Sequence, residues 1–171
     1  KDINQTKVNI AKKKLNKINS KTKINIFNLK LNKTTFEKII KNYDYIVDGT
    51  DNFESKFLIN DLSLKYKKFL VTGAISKFDG HIFTFNFTNK KDPCLRCFYQ
   101  EDSISDEILN CEYEGILGTV AGIIGTLQAN EVLKKILNIG QNLNGYILIL
   151  DLLNLNFRKA KINKRKKCLC N

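Results

Sequence analysis

Four of the five cysteines in this sequence stand in two close pairs whose spacing could bind a metal ion. Cys94 and Cys97 form a Cys-x-x-Cys pair, and Cys168 and Cys170 form a Cys-x-Cys pair that begins 71 positions after Cys97. One such pair alone is equally compatible with a redox pair. A second pair favours a closed four-cysteine zinc site, in which the thiolates leave no position for water. The pattern therefore predicts structural zinc bound by these four residues.

Cys111 is the thiol that remains outside the two pairs. Its simplest role is that of a small buried hydrophobic residue. Its neighbours Glu112 and Glu114 are expected to raise the pKa of the thiol and so to lower its reactivity. The residues alone therefore favour an inert cysteine over a nucleophile.

Asp51 and Asn52 follow a compact apolar run that ends at Asp48 and is typical of a buried parallel strand. Ligands of open α/β sheets bind beyond the carboxyl ends of the strands, where a carboxylate can hold Mg²⁺ beside phosphates. Glu54, three positions after Asp51, also allows Asp51 to cap the next helix. His81, the one histidine, lies on an alternating strand and is interpreted as a polar residue with a hydrogen-bond partner rather than as a catalyst.

Alternating helices and strands are expected to position these side chains. The early alternation predicts an α/β fold with a parallel sheet, and the late hairpin predicts an antiparallel addition. The predicted elements are a helix over 7–19, a strand over 23–29, a short helix over 35–42 opened by a capping box of Thr34 and Glu37, a strand over 43–48, a helix to about residue 67, strands over 69–73 and 80–87, a helix over 119–137 that stops near Gly140, and a hairpin of 145–151 with 155–162.

The composition is that of a soluble globular protein, with 171 residues, 43% apolar and 27% charged. We therefore expect residues 1–171 to form a single domain. The net charge of +12 is concentrated at the two ends of the chain, because residues 1–42 hold 12 basic and 2 acidic side chains. Only 3 of the 29 basic residues are Arg, the side chain that reads guanine and clamps phosphates, so we expect no nucleic-acid partner.

No segment predicts secretion or a membrane anchor. The first ten residues lack the apolar core of a signal peptide, and the longest uncharged apolar run, over 115–127, is shorter than the roughly 20 residues that a membrane span needs. A cytoplasmic protein without a membrane partner is expected.

Five motifs in order resemble one family, the ubiquitin-activating-like adenylyltransferases of the MoeB/ThiF/HesA group. The resemblance runs from about Lys7 to Cys170 and corresponds to the C-terminal two-thirds of the family's domain. The motifs are DYIVDGTDNFESKFLIND, VTGAISKFDGHIFTFN, PCLRC, GILGTVAGIIGTLQANEVLKKIL, and the paired cysteines that follow FRKAKI.

The resemblance implies an enzyme that uses MgATP to adenylate the C-terminal glycine of a ubiquitin-like sulfur-carrier protein with a Gly-Gly tail, for molybdopterin or thiamine biosynthesis. It implies a Rossmann-like, doubly wound, mostly parallel sheet with an antiparallel extension, a homodimer, and the same zinc site of four cysteines. Lys7 matches a lysine that contacts the ATP phosphates, Asp51 and Asn52 match the pair that serves magnesium and ATP, and Cys111 matches a cysteine that some members acylate or join to the carrier.

Three departures from the family pattern bear on these expectations. The family's first strand, glycine-rich turn and acidic residue would lie upstream of Lys7, and Lys56 stands where many members have Arg. The second cysteine pair is one residue tighter than usual. We therefore expect residues 1–171 alone to bind ATP weakly and to be rescued by an upstream segment with the glycine-rich turn. The alternative is a non-catalytic, zinc-stabilised fragment that binds the carrier.

Overall fold

The computed structural model describes residues 3–100 and 115–171, so Cys111 lies outside the described residues. The chain divides into two compact units, Lys1–Leu31 and Asn32–Asn171, which are described separately. The prediction of one domain over 1–171 stays a prediction.

Within its described residues, 3–31, the first unit contains one helix, α1 (Lys7–Ile18), which confirms the helix predicted over 7–19. The strand predicted over 23–29 is wrong, since these residues form no regular structure. Ile24 and Ile26, the apolar residues of the alternating pattern, are only half-buried. An extended segment becomes a strand when a neighbouring strand takes its backbone hydrogen bonds, and the structure describes no such partner for this one.

The second unit is built on one five-stranded sheet in the order β1-β2-β3-β4-β5. Strands β1 and β2 are parallel, whereas every other neighbouring pair is antiparallel. The elements in chain order are α2 (Lys33–Ile40), β1 (Tyr45–Asp48), α3 (Phe53–Lys65), β2 (Phe69–Ser76), β3 (Asp79–Asn86), α4 (Leu95–Phe98), α5 (Gly118–Leu137), β4 (Tyr146–Asp151) and β5 (Asn156–Lys161).

The expectation of a mostly parallel sheet is therefore wrong for the described residues. Only Lys77 and Phe78 connect β2 to β3, and a two-residue connection can join only antiparallel strands, because a parallel crossover takes a dozen residues or more. The predicted hairpin near the end of the chain is confirmed as β4 and β5.

Helices pack on both faces of the sheet. On one face, Ile124 of α5 lies in a buried cluster with Val71 and Ile82. The helix approaches so closely that a Cβ atom at Gly80 would clash with the side chain of Ile124. On the other face, the ring of Phe83 contacts Tyr99, which follows α4. Among the described residues, no helix is long and apolar enough to cross a membrane.

Two helix ends differ from the sequence prediction. The capping box of α2 is formed by Asn32 and Thr35, each of which accepts the other's backbone N–H, and not by Thr34 and Glu37. Helix α5 ends at Asn138 in the left-handed conformation rather than at Gly140, because Asn is one of the few non-glycine residues that adopt it readily.

Glu131 of α5 is a buried carboxylate that holds the helix to the sheet. It is 3% exposed and accepts hydrogen bonds from Thr84 Oγ1 at 3.0 Å and from the Leu143 backbone N–H at 2.8 Å. Burial acts to raise the pKa of Glu131, but Lys134, Leu143 and Asn142 outweigh it, and the pKa lies below its ordinary value.

Replacing Glu131 with Gln should lower the free energy of unfolding at pH 7 by about 1–3 kcal/mol, because buried donors lose a charged acceptor. The folded-state pKa of Glu131 is depressed, so its contribution is complete above the unfolded-state pKa of about 4.3 and is lost as the pH falls further. The stability of the wild type should therefore fall more steeply than that of Glu131→Gln below about pH 4.5. Urea unfolding at pH 7 and pH 4 measures both effects.

The matched control is Glu54→Gln, which removes the same charge at an exposed position. It should lower the free energy of unfolding by less than about 1 kcal/mol, the size of a favourable contact between an exposed carboxylate and the start of a helix. Equal losses in the two variants would contradict the role assigned to Glu131.

Candidate functional site

A cavity of about 1000 Å³ opens in the second unit beyond the carboxyl ends of β1 and β2. This is the edge at which the sequence predicts a ligand. Its walls come from the loop after β1, the start of α3, the β2–β3 hairpin and one side of α5, namely Gly49, Thr50, Asp51, Phe53, Lys56, Gly73, Ala74, Ile75, Ser76, Asp79, Gly80, His81, Tyr99, Gly115, Ile116, Ala121, Ile124, Gly125 and Gln128.

Asp51 is an exposed carboxylate in the wall of this cavity. It is not the cap of α3, contrary to one of its predicted roles. Asn52 caps the helix instead, since its Oδ1 accepts the Ser55 backbone N–H at 2.8 Å. The Asn52 amide also donates to Asp51 Oδ1 at 3.1 Å. Asp51 is thereby held beside the helix start with carboxylate oxygens of the kind that Mg²⁺ prefers.

Asp48, the last residue of β1, forms a buried polar centre next to the cavity. Its side chain is fully buried, and Oδ1 accepts from the backbone N–H and the hydroxyl of Thr50 at 2.8 and 2.7 Å. Oδ2 accepts from Lys56 Nζ at 3.2 Å and from the Thr72 hydroxyl. The Gln128 side chain of α5 donates to the Asp48 carbonyl at 2.7 Å. The donors to Asp48 thus come from residues that lie between 2 and 80 positions after it in the sequence.

Sequence reasoning missed this centre. The sequence pattern indicates Asp48 only as the end of a strand, and the resemblance indicates Lys56 only as a departure from the family. The available signal was a carboxylate at the end of an apolar strand, because a charge in that place needs a partner. Gln128 gives a similar signal as an amide within the uncharged part of α5, residues 118–130.

His81 lies in the cavity wall, and its Nδ1 is 3.2 Å from the hydroxyl of Tyr99. Burial lowers the pKa of His81, with a smaller opposing effect from Asp79, so the ring is neutral at pH 7. This agrees with the interpretation of His81 as a polar residue with a hydrogen-bond partner.

Lys7 is the exposed first residue of α1 in the first unit. Its role at the phosphates stays a prediction, as does the role of Cys111, which lies outside the described residues.

The four paired cysteines meet in one cluster, as their spacing predicts. Their sulfur atoms all lie within 4.8 Å of one another, and the Cys94–Cys168 and Cys97–Cys170 sulfur distances are both 3.5 Å. These distances are too long for disulfides, which have S–S of about 2.05 Å. They are close to the roughly 3.8 Å between ligands that a tetrahedral ion with metal–sulfur bonds of about 2.3 Å requires. The tight Cys-x-Cys spacing therefore does not prevent the cluster from forming.

The electrostatics of the cluster also fit a metal ion. Burial raises the pKa of Cys94 well above its ordinary value, and the neighbouring sulfurs raise it further. Burial likewise raises the pKa of Cys170 to about 12. Four thiolates in such a place need a cation to compensate their charge, so the donor set is compatible with a bound metal.

The cluster is fixed to α3 through α4, the short helix that carries Cys97. The Leu95 backbone N–H donates to Asn60 Oδ1 at 3.0 Å, and Arg96 donates to both carboxylate oxygens of Asp61 at 2.8 Å. The guanidinium of Arg96 also stacks 4.3 Å from the ring centre of Phe57. The cluster and the cavity are therefore attached to the same helix.

Known proteins resemble this chain over nearly its whole length. The model of the ThiF family matches residues 1–171. A probable molybdopterin-synthase adenylyltransferase of Gracilaria tenuistipitata var. liui is 37% identical over 162 residues, which cover 95% of this chain and 45% of that protein. A sulfur carrier protein adenylyltransferase of Thermus thermophilus is 31% identical over 170 residues, which cover 98% of this chain and 63% of that protein. The chain thus spans about half the length of the curated relatives it matches.

Solved structures resemble the chain in fold. The crystal structure of E. coli MccB with ATP has a TM-score of 0.81 at 16% identity, over 99% of this chain and 52% of that one. The crystal structure of PaaA has a TM-score of 0.72 at 14% identity, over 94% of this chain and 56% of that one.

Proposed function

The chain belongs to the ThiF family, and on that premise we propose that it uses ATP to adenylate the C-terminal glycine of a ubiquitin-like sulfur-carrier protein. The observation that carries the proposal is the exposed Asp51 carboxylate in a cavity beyond the carboxyl ends of β1 and β2. The cavity volume of about 1000 Å³ is at the upper end for ligand pockets, which suits a nucleotide together with the end of a polypeptide.

In the proposed reaction, an oxygen of the carrier's terminal carboxylate attacks the α-phosphorus of ATP. A new O–P bond forms as the bond to the β-phosphate oxygen breaks, so the products are an acyl-adenylate and pyrophosphate. Such a step depends mainly on positioning and on neutralising charge. Mg²⁺ would supply that neutralisation, and Asp51 would hold it with Asn52 beside it. Lys7 would contact the phosphates.

A structural zinc ion at Cys94, Cys97, Cys168 and Cys170 is the second part of the proposal. A closed set of four thiolates gives the ion a role in folding rather than in chemistry. Zinc would hold the end of the chain to α4 and thus to α3, which begins at the cavity. Cys111 would take over the carrier after the adenylation step, its thiolate displacing AMP from the acyl-adenylate to give a thioester.

A homodimer in the cytoplasm and a carrier of the molybdopterin or thiamine type remain part of the proposal. The relatives from Gracilaria and Thermus, named for molybdopterin synthase and for a sulfur carrier, support this class of partner. The alternative, a zinc-stabilised fragment that binds the carrier without catalysis, is distinguished from it by the exchange assay below.

Purified, reduced protein supplied with zinc should contain about one zinc ion per chain, since the cluster is one tetrahedral site. Cys94→Ser should lose the ion and unfold at a lower temperature. Cys111→Ser is the matched control and should keep the full zinc content. Metal analysis and thermal unfolding measure both quantities, and a zinc content near zero in the wild type would rule out this part of the proposal.

The protein as its gene encodes it should catalyse carrier-dependent exchange of radioactive pyrophosphate into ATP. Asp51→Asn should lower the exchange rate by about 100-fold, the loss expected when charge stabilisation is removed from a reacting phosphate. Asp44→Asn removes a carboxylate at the opposite end of β1 and should leave the rate unchanged, since that side chain is 90% exposed and away from the cavity.

Two outcomes would contradict the proposed function. If the wild type binds the carrier but shows no exchange with any sulfur carrier, the non-catalytic alternative is correct. If Asp51→Asn and Asp44→Asn have equal effects, Asp51 does not act at the phosphates.

A further inference from the structure

The loop between β1 and α3 is anchored on both sides of Asp51. Thr50, the residue before it, gives both its backbone N–H and its hydroxyl to Asp48 Oδ1. Asn52, the residue after it, accepts the Ser55 N–H with its carboxamide oxygen. The backbone of Asp51 is therefore fixed between two anchored neighbours, while its own carboxylate remains exposed in the cavity wall.

The anchor on the Thr50 side is a rigid one. The Asp48 carboxylate is fully buried, and Lys56, itself 5% exposed, supplies the opposite charge that a buried carboxylate needs. Lys56 also donates to the Gly73 carbonyl within β2. With donors from Thr50, Lys56 and Thr72, the carboxylate has no room to rotate without breaking several hydrogen bonds at once.

We propose that Asp48 is a positioning residue that acts through Thr50 to hold the Asp51 carboxylate where it meets the cation of a bound nucleotide. This inference rests on the proposed function, because it assumes the role of Asp51 in binding Mg·ATP. It gives the buried Asp48 carboxylate a role in ligand binding in addition to its role in stability.

The decisive variant is Thr50→Val, which keeps the shape of the side chain and removes one of the two donors to Asp48 Oδ1. The measured quantity is the magnesium advantage, defined as the Kd for ATP in EDTA divided by the Kd for ATP with Mg²⁺, both from titration calorimetry. The magnesium advantage should fall by about tenfold, the size of one hydrogen bond to a charged group. The Kd in EDTA should stay the same, since Thr50 would act through the metal ligand only.

The matched control is Thr84→Val. Like Thr50→Val, it removes a hydroxyl that donates to a buried carboxylate, here that of Glu131, but Thr84 does not line the cavity. Both variants should lower the unfolding temperature, whereas Thr84→Val should keep the magnesium advantage of the wild type. Thr50→Ser retains the hydroxyl and should keep it as well.

A double variant separates positioning from a general loss of structure. Asp51→Asn should lose the magnesium advantage, and Thr50→Val combined with Asp51→Asn should lose no more, because the first residue acts through the second. Additive losses, equal losses in Thr50→Val and Thr84→Val, or an unchanged Thr50→Val would each overturn the inference.

Two results for the wild type distinguish an error in the positioning role of Asp48 from an error in the proposed adenylation. A wild type with a magnesium advantage but no pyrophosphate exchange would contradict the adenylation and leave the positioning role supported. A wild type with no magnesium advantage would overturn the positioning role directly.

Discussion

The need to satisfy one buried charge organises the cavity end of the second unit. A carboxylate removed from water must find a cation and donors nearby, and Asp48 finds them on α3, β2 and its own loop. The backbone carbonyl of Asp48 also accepts a hydrogen bond from the side chain of Gln128 on α5. Three secondary-structure elements, α3, β2 and α5, are thereby tied to the end of β1, and all three contribute walls to the cavity.

The short turn between β2 and β3 has a comparable effect on the other wall. Because β3 returns at once beside β2, the start of β3 lies at the same edge of the sheet as the end of β2. Asp79, Gly80 and His81 consequently join the cavity although they begin a strand rather than end one. In a fully parallel sheet, only the carboxyl ends of strands would lie at this edge, and the first residues of β3 would lie at the opposite edge.

The sequence predicted those features that depend on local pattern. The five motifs identified the family, which the match over 1–171 confirms. Helical periodicity predicted α1, the helices α3 and α5 were also predicted, and the close pairs of cysteines predicted the cluster, because ligands that are neighbours in sequence are already partly assembled.

Features that depend on distant partners could not be predicted in this way. The segment 23–29 has the alternation of a strand but the structure describes no strand beside it. Thr72 and Gln128 are 24 and 80 positions from Asp48, so no spacing rule connects them. At the helix ends, Asn32 and Asn52 cap where Thr34 and Asp51 were predicted, since neighbouring polar residues compete for the same backbone donors.

The wide separation of the two cysteine pairs has a consequence for the unfolded chain. A metal ion bound by Cys97 and Cys168, 71 positions apart, would close a loop that contains α5, β4 and β5. If the ion constrains the chain as a covalent cross-link does, closing such a loop removes conformational entropy worth about 4 kcal/mol at room temperature. That contribution acts on the unfolded ensemble and is independent of any contact in the folded protein. The protein would thus gain stability from the closure of a loop around β4 and β5, although neither strand carries a ligand of the ion.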